Sequence, residues 1–296
     1  MPMMATQPPY TLMILEDDTP VNPREDYDNF GKMMCFHKRY GLGDEHNFSE
    51  PREFLIDLLF KRYSGEAQPV LDFIKEGNAK EAQLEYNRST REWELLEPNF
   101  WSTSARDKWI VTTSYPASLK GKDVPDWFIE EAITALKINE MKTLIEKAGD
   151  FALLPLYLYD HSGITMSSSP FSCPWDSGQV GWIYADRQMI EKEYDVLTPE
   201  TFAKAEKLLE SEVKCYDYYL TNQCYGYQLY EHDVETDSCW GFLGDFRDLK
   251  DSIKDYLPDE CKGLVDKLEH QYEKPNIADI MAEWEDELEV EPDDEI

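Results

Sequence analysis

The run Ala152-Leu153-Leu154-Pro155-Leu156-Tyr157-Leu158-Tyr159 constrains this chain more than any other feature. A continuous apolar and aromatic stretch of this length, bounded by Gly149 and Gly163, reads as a buried strand. Ile164-Thr165-Met166 and Gln179-Val180-Gly181-Trp182-Ile183-Tyr184 look like its neighbours, with Gly and Ser turns between them. A helix over about 199–220 follows. Thr198 is its N-cap, Pro199 its first position, and Phe202, Leu209, Val213, Tyr216 and Leu220 keep helical spacing. Two strands, Tyr225 to Tyr230 and Ser238 to Leu243, flank an acidic hairpin at Glu231–Asp237. Helices are expected near 245–256, 259–272 and 276–289.

The first half reads differently. Residues 1–48 are irregular or strand-containing, with Tyr10-Thr11-Leu12-Met13-Ile14-Leu15 a short strand closed by the acidic turn Glu16-Asp17-Asp18. Ser49 and Pro51 start a helix whose Phe54, Leu55, Leu58 and Leu59 recur at i, i+3, i+4 spacing. Further helices are expected at 69–76 and 79–96. A strand follows at Trp109-Ile110-Val111-Thr112-Thr113, then one long helix from Pro125 to Lys147, ended by Gly149. The expected fold is α+β: a mixed or antiparallel sheet in the second half with packed helices, and a mainly helical first half. The expected organisation is a helical region at 1–150, an α+β domain at 151–276 and an acidic tail at 277–296.

Charge restricts function. The 296 residues carry 29 Lys and Arg against 61 Asp and Glu, a formal net charge of -32. Such a field repels phosphate backbones and anionic headgroups and favours basic surfaces. The imbalance is 18 basic to 27 acidic over residues 1–150, and 11 to 34 over 151–296. From Ile277 onward there is no Lys or Arg but ten carboxylates, with Met281, Trp284 and Leu288 on one helical face. Aromatic content of 13% argues against disorder. The N-terminus lacks a signal-peptide pattern and no apolar run approaches the roughly 18 residues that span a bilayer, so a cytoplasmic protein is expected. Its six cysteines are scattered, which suits reduced thiols.

No phosphate loop, dinucleotide fingerprint, zinc-protease helix or calcium loop is present. The best enzymatic candidate is Asp160-His161-Ser162-Gly163 together with Ser167, Ser168, Ser169, Cys173 and Asp176, which collects an acid, a base and two kinds of nucleophile. Acyl transfer there would need His161 within hydrogen-bond reach of the nucleophile, and a third group orienting the ring. The same residues are ordinary turn chemistry, and no G-x-S-x-G elbow holds a nucleophile. His37, His46, His161, His232 and His270 lack ligand spacing, so no metal is expected. Neither a cofactor nor catalysis is implied. Tyr and Trp make interface hot spots, and Trp175, Trp182, Tyr225, Tyr227, Tyr230, Trp240 and Trp284 are the candidate binding residues.

Leu154-Pro155-Leu156-Tyr157-Leu158-Tyr159-Asp160-His161-Ser162-Gly163, Trp175-Asp176-Ser177-Gly178-Gln179-Val180-Gly181 and Asp237-Ser238-Cys239-Trp240-Gly241-Phe242 resemble an uncharacterised family carried by phages, plasmids and integrative elements of bacteria. Acidic proteins of this size from such elements include inhibitors of host defence nucleases. In size and charge the chain is similar to phage anti-defence proteins that enclose the Gabija nuclease–helicase complex. The resemblance implies an inhibitor in the host cytoplasm that binds a defence complex through its basic DNA-binding surface and blocks DNA binding or cleavage. It carries no residue roles, and self-association is compatible with it. Two alternatives stand beside it: a small hydrolase or transferase using Asp160–Asp176, and a promiscuous DNA mimic.

Overall fold

The computed structural model describes residues 2–102 and 108–271, with Ile277 and Ile280 beyond them. Its strands are β1 (Met3–Gln7), β2 (Tyr10–Glu16), β3 (Lys32–Cys35), β4 (Gln83–Asn87), β5 (Glu92–Pro98), β6 (Trp109–Pro116), β7 (Ala152–Asp160), β8 (Ile164–Ser167), β9 (Ser177–Ala185), β10 (Cys224–Glu231), β11 (Val234–Leu243) and β12 (Glu269–His270). The helices are α1 (Pro23–Asp26), α2 (Pro51–Tyr63), α3 (Gln68–Lys75), α4 (Asp126–Thr134), α5 (Ile138–Ala148), α6 (Arg187–Tyr194), α7 (Pro199–Leu220) and α8 (Phe246–Tyr256). The fold is α+β, but not with the expected distribution. Strands run through the whole chain, six of them before residue 117, and the ladders are antiparallel in three sheets.

Contacts divide the chain into two compact units, each assembled from separated pieces. The first unit is Met1–Gly31, Pro155–Val180 and Lys207–Ile296; the second is Lys32–Leu154 and Gly181–Glu206. In the first unit a five-stranded sheet has the order β11-β10-β2-β1-β12. Side chains alternate across its strands, so Leu12, Ile14, Tyr227 and Leu229 fall on one face. They pack there with Ile253 and Leu257 around α8 and with Leu264 and Val265 of the 3-10 turn that follows. The paired part of the β7–β8 hairpin, Tyr157–Asp160 with Ile164–Ser167, belongs to the same unit, and Asp217 of α7 accepts a hydrogen bond from the Met166 N–H at 2.7 Å.

In the second unit α2, α3, α4 and α5 pack together beside the sheet β4-β5-β6. Phe54, Leu55, Leu58 and Leu59 are all buried, as their spacing requires. Gly149 ends α5 in the left-handed conformation at φ 68°. The β3–β9 ladder brings Gly181 so close to Met34 that a Cβ at 181 would lie 1.8 Å from the Met34 carbonyl oxygen.

Three expected helices are corrected. The helix expected at 79–96 is instead the β4–β5 hairpin, which starts at Gln83. Gln, Glu and Leu favour a helix there, but Asn87 closes a turn by accepting from the Ser89 and Thr90 N–H groups, and Arg91 takes φ 60°. The helix expected from Pro125 to Lys147 breaks at 135–137. Glu140, itself buried, accepts from the Lys137 N–H at 2.9 Å and from the Lys80 N–H at 2.8 Å, which starts a new helix. Residues 259–272 hold a 3-10 turn and β12 instead of an α-helix. Between β10 and β11 the connection is tight, with only His232 and Asp233 outside the strands. The tail expected at 277–296, with Met281, Trp284 and Leu288, lies outside the described residues apart from Ile277 and Ile280. No described helix is long and apolar enough to cross a membrane.

Candidate protein-binding groove

The charge follows the units. The first holds 9 Lys and Arg against 34 Asp and Glu, net -25; the second holds 20 against 27, net -7. On the first unit an open groove of about 850 Å³ is lined by Pro2, Leu15, Glu16, Asp17, Asp18, Thr19, Val21, Tyr27, Trp240 and Gly241. Among the described residues no Lys or Arg lines it. The comparison is a cavity of about 700 Å³ on the second unit, where Lys61, Arg62 and Arg187 line the wall. There each cation is already matched, Lys61 with Asp57 at 2.8 Å, Arg62 with Asp150 and Glu66, and Arg187 with Glu191 at 2.8 Å. Of these two cavities, the groove of the first unit is the one lined by carboxylates with no Lys or Arg of the described residues among them, a lining that favours a basic partner.

The groove floor comes from strand register. Leu15 of β2 lies opposite Gly226 of β10, and Gly226 lies opposite Trp240 of β11. Cross-strand partners share a face, so these three form a row on the side of the sheet away from α8. Gly226 lets the Trp240 ring lie across it: a Cβ at 226 would fall 2.2 Å from Cε3 and 2.3 Å from Cδ2. The indole is thus held against backbone while remaining 44% exposed.

The rim comes from the chain that leaves β2. Asp17 accepts from the Thr19 N–H at 3.0 Å, a turn closed by its own carboxylate, and its N–H donates to the Cys224 carbonyl at 2.8 Å. Burial pushes the Cys224 thiol up to about 11, and Asp17, 3.7 Å from its Sγ, adds to the rise. Asn22 caps α1, and Tyr27 follows it, 40% exposed. The segment is fastened by Arg24, whose guanidinium is buried. It donates to Glu212 of α7 at 2.9 Å, to Asn29 at 3.0 Å and to the Gly31 carbonyl at 2.8 Å. Glu212 in turn accepts from the N–H groups of Phe30 and Gly31, at 2.5 Å and 3.1 Å.

The aromatic residues singled out from the sequence are placed variously. Trp240 lines the groove. Tyr225 and Tyr227 sit on the opposite, packed face of the same hairpin, Tyr227 donating to Asp237 at 2.7 Å and Tyr225 meeting Phe246 edge-on. Tyr230 reaches Glu235 at 3.4 Å. Trp175 is exposed in the loop before β9, and Trp182 is buried in the core of the second unit against Phe54. Trp284 lies outside the described residues. Val21, Tyr27 and the acidic turn at 16–18 were absent from the expected binding set. Their only sequence signal is a strand running directly into three consecutive carboxylates.

The Asp160–Asp176 segment does converge. His161 Nδ1 lies 3.5 Å from Asp176 Oδ2, and the Cys173 thiol points to the same oxygen at 3.8 Å. The order of contacts is thiol, carboxylate, imidazole. A nucleophile–base pair needs the imidazole on the thiol, with the carboxylate behind it. The surrounding contacts are turn bonds, Asp160 N–H to the Asp176 carbonyl at 2.8 Å and His161 N–H to the Gly163 carbonyl at 3.0 Å. Ser177 also donates to the Cys173 carbonyl. Among the described residues no cluster of three or more His, Cys, Asp or Glu could hold a metal ion. Comparison with protein-family models, with curated proteins and with solved structures returned no match.

Proposed function

We propose that this protein acts by binding a basic surface of another protein through the acidic groove of its first unit. The observation that carries this reading is the groove itself: carboxylates of Glu16, Asp17 and Asp18 beside exposed Trp240, Tyr27 and Val21, on a unit of net charge -25. Charge of this sign speeds encounter with a basic target, while aromatic and apolar contacts hold the complex. A DNA-binding face is rich in Lys and Arg that neutralise phosphates, and occupying it excludes DNA. The reading therefore extends to an inhibitor, encoded by a phage or other mobile element, that blocks DNA binding or cleavage by a host defence nuclease or helicase.

The test is titration of the purified protein into a defence nuclease–helicase such as a Gabija complex, with DNA cleavage and DNA binding as readouts. Inhibition should reach completion near one protein per target site, and Asp17→Asn/Asp18→Asn should weaken it. Complete inhibition at far substoichiometric amounts, or charge-neutralised variants that inhibit as well as the parent, would refute it. A second reading rests on the convergence of His161, Cys173 and Asp176. Under it, His161→Ala and Cys173→Ala abolish activity with the fold intact; under the binding reading both retain full inhibition.

A further inference from the structure

The groove has a feature that acidity alone does not require, a flat aromatic ring seated on glycine backbone beside the acidic turn. We propose that it accommodates the guanidinium of an arginine side chain from the partner, stacked on Trp240 and paired with the carboxylates of Asp17 and Asp18. This inference rests on the basic-partner reading above and names the group that the groove selects.

The geometry supplies each requirement of such a site. An indole is the best aromatic platform for a cation, and it works best when its orientation is fixed. Trp240 is fixed because the missing Cβ of Gly226 lets the ring contact backbone, where any side chain would collide with it. Leu15, in the same cross-strand row, is buried and makes the neighbouring floor apolar. Asp17 is oriented by the Thr19 N–H, and Asp18 is exposed on the same turn. At about 850 Å³ the groove has the volume for an arginine side chain as well as its head group.

Arginine suits this combination better than lysine. Its planar ion stacks on indole and still presents N–H groups at its edge to a carboxylate, and it sheds water more readily than an ammonium. A lysine can satisfy the carboxylates or the ring, but its compact, strongly hydrated charge does both less well. Among the described residues no Lys or Arg lines the groove to compete for the position.

The experiment compares an Arg-Gly repeat peptide with a matched Lys-Gly repeat peptide, by isothermal titration on the full-length protein at low and at physiological salt. Wild type should prefer the Arg peptide by roughly two- to fivefold, the range of one exposed cation–π contact. Trp240→Leu keeps an apolar cover over Gly226 and should abolish that preference, while Trp240→Phe should keep part of it. Asp18→Asn should weaken both peptides. Equal affinity for the two peptides in wild type, or an Arg preference that survives Trp240→Leu, overturns this inference and leaves the basic-partner reading standing. Failure of both peptides to bind even at low salt overturns both. The wild-type comparison decides the matter if a Trp240 variant does not fold.

Discussion

Removing Glu212 should be among the most damaging single changes in the first unit, although the residue lies far in sequence from the groove it supports. Its carboxylate neutralises Arg24, whose side chain is 1% exposed while that of Glu212 is 12% exposed, and it accepts from the N–H groups of Phe30 and Gly31. Glu212→Ala takes this carboxylate from a buried guanidinium that also donates to Asn29 and the Gly31 carbonyl, and from two backbone donors. Breaking one side of a buried ion pair costs about 3–5 kcal/mol. The remaining acceptors on Arg24 and water access at Glu212 place the expected loss at about 3 kcal/mol. Glu212→Gln keeps an acceptor and should cost about 1–2 kcal/mol. Replacing both partners, Arg24→Leu with Glu212→Leu, should recover much of the loss, because no charge is then stranded. Urea denaturation followed by tryptophan fluorescence and far-ultraviolet circular dichroism measures all three. A loss under about 1 kcal/mol for Glu212→Ala, the worth of an exposed pair, would refute the claim that this contact is the anchor of residues 17–31.

Two glycines should differ in their response to alanine. Gly181→Ala drives a Cβ into the Met34 carbonyl and should cost more than about 3 kcal/mol, whereas Gly226→Ala meets the Trp240 ring, should cost about 1–3 kcal/mol and should weaken partner binding; thermal melts and peptide titrations check both. Alkaline pH should destabilise the first unit through Cys224, whose thiol titrates at 9.0 when unfolded and about 11 when folded. The folded state holds that proton more tightly, so the contribution is intact below pH 9 and is lost as pH rises towards 11, and Cys224→Ala should flatten the stability slope over that window. Deleting 277–296 removes ten carboxylates and should slow association with a basic target and reduce its salt dependence, with a smaller effect on dissociation; surface-plasmon kinetics that show faster dissociation as the larger change would refute it.

The elements legible in the sequence are those whose signals are local. Pro51 with Phe54, Leu55, Leu58 and Leu59 specifies α2 without help from the rest of the chain, and Gly149 marks the end of α5 by a conformation other residues adopt at a cost. The β4–β5 hairpin is illegible because Glu, Gln and Leu carry helix propensity, and pairing with β6 overrides it. The break between α4 and α5 depends on Glu140 receiving the Lys80 N–H, sixty residues away in sequence. The groove is hidden for the same reason. Its acidic turn and its tryptophan meet only because β2 pairs with β10 and β10 with β11. Of the aromatics named from the sequence, Trp240 stands in it because its strand partner is a glycine. Tyr227, one position along β10 and on the other face, is core.

The placement of the few cations in the first unit completes the electrostatic argument. Arg24 is committed to Glu212, Arg247 to Asp245, Lys254 to Asp266 and Asp251, and Lys262 to Asp259, while Lys267 reaches Gln7 and Lys214 lies over the Tyr218 ring. Each of these six is tied to a neighbour, and among the described residues no Lys or Arg lines the groove. Carboxylates concentrated in one place repel one another, and that repulsion works against the folded unit at every pH where they are ionised. A basic partner in the groove supplies the countercharge that the chain withholds, so the bound state gains both the contact and relief of the repulsion. A partner that binds only the folded form also raises its stability in proportion to occupancy. Binding and folding of this unit are therefore coupled: an arginine-bearing peptide should raise its melting temperature most at low salt, and the increase should shrink as the Debye length contracts to about 8 Å near physiological ionic strength.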